Sequence, residues 1–98
     1  MSAAETVKVT LSRGIEHGDD VIDEIALREI TVADLNKCGY PLSIGDDGKA
    51  ATPIPANISA LICRCGRVPP SVVGKMTARD FNACMTVILG FLEGAEAS

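Results

Sequence analysis

Four cysteines, one histidine and thirteen carboxylates are the side chains of this 98-residue chain that could do chemistry. Cys38, Cys63, Cys65 and Cys84 show neither the paired CxxC spacing nor the histidine partners of a structural zinc site, and the single histidine, His17, falls in a predicted turn. Cys63 and Cys65 are two apart in a helical pattern, so they point to nearly opposite faces and cannot chelate one ion. No base is placed to activate a thiolate. The four therefore read as small buried hydrophobes of a reducing compartment, and a cysteine-dependent redox or metal protein is the weakest reading.

The acids fare no better as a catalytic set. Asp19, Asp20, Asp23 and Glu24 cluster at a turn and a strand start, where solubility accounts for them. The run Ile44-Gly-Asp-Asp-Gly48 has the look of a calcium loop but lacks the alternating ligands and the closing glutamate, which leaves a flexible loop. There is no phosphate-binding loop, dinucleotide fingerprint, nucleophile elbow or zinc-protease motif. The expectation is a protein that is not an enzyme and takes no cofactor or metal.

Recognition then has to come from shape, and the stretch with most shape information is residues 64–92, RCGRVPPSVVGKMTARDFNACMTVILGFL. Gly66 follows one apolar helical pattern, and Pro69 and Pro70 forbid its continuation. Thr77 restarts the chain as an N-cap, with Asp80 in the first turn, where the helix dipole favours a negative charge. No proline follows, so the pattern predicts about four turns of helix ending near Glu93. On that helix Phe81, Cys84, Met85, Ile88 and Leu92 form one stripe, widened by Leu89 on one side and by Val87 and Phe91 on the other. The resulting arc of roughly 200° is about twice what covering a core requires. Either this helix is central, or part of its surface is kept for another protein.

The preceding elements follow from periodicity. Val7, Val9 and Leu11 alternate with Lys8, Thr10 and Ser12, and Ile25 and Leu27 alternate with Glu24, Ala26 and Arg28. With turn formers in RGIEHGDD between them, residues 6–30 read as a β-hairpin with a long or bulged connection. A lone hairpin is marginal in water and needs helices on its apolar face or a neighbour at its edge, which makes it a candidate for self-association. Thr31 and Asp34 repeat the capping pattern of Thr77 and Asp80 and open a short helix over 31–38, closed by Gly39 and Pro41. Residues 39–53 read as a flexible loop. Ile54, Ile58, Leu61, Ile62 and Cys65 restore the helical period, with Pro53 and Pro55 tolerable at its start, and 54–93 is the helical part. The sum is a single α+β domain over 1–98: an N-terminal antiparallel β-hairpin followed by three to four α-helices.

Composition narrows the partners. There is no Trp, one Tyr (Tyr40) and two Phe, so the stacking platforms used on single-stranded nucleic acid are missing. A formal net charge of −4 argues against phosphate backbones as well. Residues 1–48 carry ten acids against four bases, whereas residues 49–98 carry three acids against five bases; these read first as two solvated faces, and second as halves able to attract each other within or between subunits. No run approaches the roughly 18 apolar residues of a membrane span, and no secretory segment opens the chain. A soluble intracellular protein with no membrane partner is expected.

The order of these features resembles the phage tail assembly chaperones of Mu-like and related tailed phages. The resemblance runs over residues 7–37 and 58–92: a hairpin beginning VKVTL, the second strand IALREITVADL, then ALICRCGRVPPSVVGKMTARDFNACMTVILGFL, with Arg28, Asp34, Asp80 and Phe91 as its points. Gly14 stands where such proteins often carry a proline. What the resemblance implies is a non-enzymatic protein of the host cytoplasm that binds the long helical tape measure protein, keeps it soluble and helps recruit tail tube subunits, in some phages alongside a frameshifted longer form. The residues expected to bind the partner are Phe81, Val87, Ile88, Phe91 and Leu92 on the last helix, with Arg64 and Arg67 at the preceding break. The competing reading is a small regulatory or nucleic-acid-binding phage protein that uses Arg64, Arg67, Lys75 and Arg79 as a basic patch.

Overall fold

The computed structural model describes residues 6–45 and 51–93. Its first two elements, β1 (Thr6–His17) and β2 (Asp20–Arg28), form an antiparallel hairpin. They are followed by α1 (Val32–Cys38), a short ribbon of β3 (Leu42–Ile44) and β4 (Ala51–Pro53), then α2 (Pro55–Gly66), α3 (Pro70–Gly74) and α4 (Ala78–Glu93). The expected α+β order, a hairpin and then helices, is what the chain adopts.

The hairpin is longer and its turn tighter than the sequence pattern suggests. The strands run on to His17↔Asp20, so the turn is only Gly18 and Asp19, and Gly18 takes a positive φ of 62° that suits a residue without Cβ. The irregularity anticipated in the connection sits inside β1 instead. Register passes from Thr10↔Glu24 to Ile15↔Ile22, so residues 11–14 of β1 face Asp23 alone. That bulge keeps Val9, Leu11 and Ile15 on the buried face.

Helices cover that one face. Ile25 and Leu27 of β2 meet Ile58, Leu61, Ile62 and Cys65 of α2, while Cys84, Ile88 and Phe91 of α4 close over β1, with Val72 and Val73 of α3 between. Burial of this apolar set is the main stabilising term, at roughly 25 cal/mol for each Å² removed from water.

Two boundaries depart from expectation for physical reasons. Gly66 is the last residue of α2 and not its left-handed terminator; that role falls to Arg67, at φ 58° and ψ 44°. A Cβ on Gly66 would lie 2.7 Å from Ile25 Cγ2 and 3.2 Å from Leu27 Cδ2, so the glycine is spent on bringing α2 against β2. The region 39–53, read as a flexible loop, carries the β3–β4 ribbon: Leu42, Ser43 and Ile44 pair with Pro53, Thr52 and Ala51. Three-residue strands with little burial leave no periodicity to read. The Asp46-Asp47-Gly48 portion of the calcium-like run lies outside the described residues.

Candidate partner-binding surface

Two Thr-x-x-Asp caps hold the framework of the surface, and both aspartates are buried, Asp34 at 1% exposure and Asp80 at 3%. Asp34 completes a capping box: the Thr31 N–H donates to its Oδ2 at 2.8 Å, and the Asp34 N–H donates to Thr31 Oγ1. The carboxylate also collects cations. Arg28 of β2 binds it through both terminal nitrogens, at 2.8 and 2.9 Å, and the Arg64 Nε of α2 donates to the same group. The Cys65 thiol donates weakly to it at 3.9 Å. Arg28 first, and then the Thr31 and Arg64 donors, hold the Asp34 carboxyl well below the usual range against the opposing effect of burial; in turn the Asp34 carboxylate raises Arg28 further. One side chain thus joins β2, α1 and α2.

Asp80 uses the same motif differently. Its N–H donates to Thr77 Oγ1 at 3.2 Å, but its carboxylate turns away from the cap and accepts the Ser12 N–H of the β1 bulge at 2.9 Å. That bond, with the cap behind it, keeps the carboxyl below its ordinary value. Its Oδ2 is buried without a partner among the described residues. Asp80 therefore sets the rotation of α4 over the hairpin.

With α4 fixed this way, the apolar arc divides. Cys84, Ile88 and Phe91 turn inward and are buried in the subunit's own core, and Val87 packs partly against it. Ile88 and Phe91, expected to meet a partner, are thus spent on the hairpin. The other flank carries Phe81, Met85, Leu89 and Leu92, at i, i+4, i+8 and i+11, all half-buried; Phe81 and Met85 pack partly against the core, as Val87 does, while Leu89 and Leu92 do not. Phe81 and Leu92 of the expected set lie on this strip. Met85 and Leu89 join it, and a wide arc alone could not separate them from core. The separating signal is Asp80, whose inward carboxylate shows which side faces the sheet.

Arg64 and Arg67 do not form one patch with a common duty. Arg64 is committed to Asp34, with 38% of its side chain exposed, while Arg67 is exposed at the end of α2. Beside them, α2 and α3 enclose an apolar groove of about 470 Å³ whose α2 wall is Ala56, Ser59, Ala60 and Cys63. Sequence reading passed over this wall because four small residues carry no strong hydrophobic signal.

All four cysteines are free thiols, and burial pushes Cys65 and Cys84 up to about 11 and raises Cys63, which keeps them protonated at neutral pH. Among the described residues no group of three or more His, Cys, Asp or Glu could hold a metal, and no helix is long and apolar enough to cross a membrane.

Comparison with protein families gives a match over most of the chain. Residues 8–93 fit the family model described as "Phage tail assembly chaperone proteins, E, or 41 or 14". No curated protein and no solved structure matches the chain.

Proposed function

Because the chain belongs to the phage tail assembly chaperone family, we propose that it works without catalysis, in the infected host's cytoplasm, by binding the tape measure protein and holding it soluble while tail tube subunits assemble. The family supplies the general role, an interaction with phage tail proteins. The observation that carries the specific one is the half-buried strip Phe81, Met85, Leu89 and Leu92 on α4. Four apolar side chains spaced along one helical ridge suit the apolar face of another helix, and a tape measure protein is a long helical partner. Leu89 and Leu92 lie outside the subunit's core cluster, which is built from the adjoining face of the same helix. Ile88 and Phe91 serve from beneath by keeping the ridge straight and oriented.

The test is co-expression with the tape measure protein of the same phage. A soluble complex from wild type, lost in Leu89→Asp or Leu92→Asp proteins that melt like wild type, is the expected result. A tape measure protein that stays insoluble with wild type would remove the reading.

The basic-patch alternative is disfavoured by one observation: Arg64 is bound to a buried carboxylate, so the four cations do not present together. A second copy of the chain is a natural partner for a hairpin whose two strands, among the described residues, pair with each other alone, and light scattering of the free protein measures it.

A further inference from the structure

The buried Asp34 carboxylate has more donors than it needs. Thr31, through its N–H and hydroxyl, and Arg28, through both terminal nitrogens, supply about as many hydrogen bonds as a carboxylate's lone pairs accept. Arg64 comes in addition to these. One buried carboxylate therefore faces two guanidinium groups, which leaves one positive charge in excess.

Arg64 meets Asp34 through Nε alone. A guanidinium carries five N–H donors in a planar fork, so those on its two terminal nitrogens are left over, and they make no hydrogen bond among the described residues. The Arg64 side chain is 38% exposed, against 1% for the carboxylate that holds it from behind. Its rotamer freedom is spent before any ligand arrives, which lowers the entropic cost of binding one. Neighbouring acids leave these donors open. Glu29 offers Arg28 its backbone carbonyl at 3.0 Å, and among the described residues neither arginine forms an ion pair with an acid other than Asp34. Along β2, Glu24 lies about 13 Å from Arg28 and Asp20 about 26 Å, both beyond the ~8 Å Debye length at physiological salt.

We propose that the terminal nitrogens of Arg64, with Arg28 sharing the same anchor, bind a carboxylate side chain of the tail protein that the chaperone receives. Guanidinium and carboxylate are both planar and pair through two parallel hydrogen bonds. One excess charge matches one carboxylate. A nucleic acid would instead bring a row of phosphates to a chain of net charge −4. That the ligand belongs to a tail protein rests on the chaperone reading; the site itself rests on the contacts around Asp34.

Sodium acetate is the probe for the site, titrated into the 15N-labelled full-length chain at constant ionic strength, with sodium chloride as control and the arginine Nε–Hε signals followed by NMR. The Arg64 signal is expected to shift saturably, with a midpoint on the order of 10 mM. Acetate that acts no differently from chloride, or inorganic phosphate that binds tenfold tighter than acetate, would overturn the proposal. Co-purification with the tape measure protein reads the partner. Arg64→Gln leaves Arg28 and Thr31 on Asp34, so it should stay folded by its melting curve yet hold the tape measure protein about tenfold more weakly. Arg64→Lys keeps the charge without the fork and should recover little of that loss. Undiminished binding by a folded Arg64→Gln protein removes the carboxylate site and leaves the chaperone reading standing. No complex with wild type removes the chaperone reading, and the acetate titration then decides on the site alone, as it does if Arg64→Gln fails to fold.

Discussion

Asp80 Oδ1 and the Ser12 backbone N–H meet at 2.9 Å across 68 positions of sequence. The bond ties the first turn of α4 to the bulge of β1, where register passes from Thr10↔Glu24 to Ile15↔Ile22. It fixes which side of α4 turns toward the hairpin.

The Ser12 amide should consequently be among the protected amides of the hairpin although it lies in a bulge. Asp80→Ala is expected to speed its hydrogen exchange selectively and to lower the melting temperature, since the bulge amide loses its acceptor and the first turn of α4 loses a negative charge. Unchanged exchange at Ser12 would show that the bulge is held by other means.

Asp34 gathers Arg28, Arg64 and the Thr31 cap around one buried carboxylate. Both arginines keep about a third of their side chains exposed, which moderates the cost of losing their partner. Asp34→Asn should destabilise the fold by roughly 2–3 kcal/mol, measured by urea unfolding. The sign of the pH effect follows from a lowered carboxyl. The folded state binds this proton less readily than the unfolded chain, whose ordinary value is 3.8, so the contribution is complete above that value and is lost as pH falls below it. The Asn variant should therefore lose part of the wild-type acid sensitivity below about pH 4.

Phe91 and Leu92 are neighbours in sequence with different surroundings. Phe91 is 8% exposed and belongs to the core, so Phe91→Ala should cost about 3–5 kcal/mol. Leu92 is half-buried on the outward strip, and Leu92→Ser should cost no more than about 1 kcal/mol while weakening partner binding. Similar losses of stability for both would contradict the division of the arc.

The hairpin, the two Thr-x-x-Asp caps and the span of α4 were legible because alternation, capping chemistry and helical period are local signals. Less legible was the division of the α4 arc, which depends on a carboxylate reaching a strand 68 positions away. The ribbon of β3 and β4 was hidden by its length and exposure. In sequence Arg64 reads as a partner-facing cation, because an exposed arginine at a helix end and one bound to a distant aspartate look the same there.

Gly66 and Arg67 show how a local rule yields to packing. Gly66→Ala should destabilise by about 1–3 kcal/mol, because the new methyl meets Ile25 at 2.7 Å. Arg67→Gly should stabilise by up to about 1 kcal/mol by relieving a left-handed non-glycine residue. Thermal unfolding of the two variants checks both signs.

The most direct measurement is co-expression of the tape measure protein with wild type and with Leu89→Asp, followed by purification and light scattering of the soluble fraction. A defined soluble complex with wild type, absent with a Leu89→Asp protein of unchanged melting temperature, is the predicted result. An equally abundant complex with both, or none with either, would contradict the assignment of the outward face of α4 to the partner.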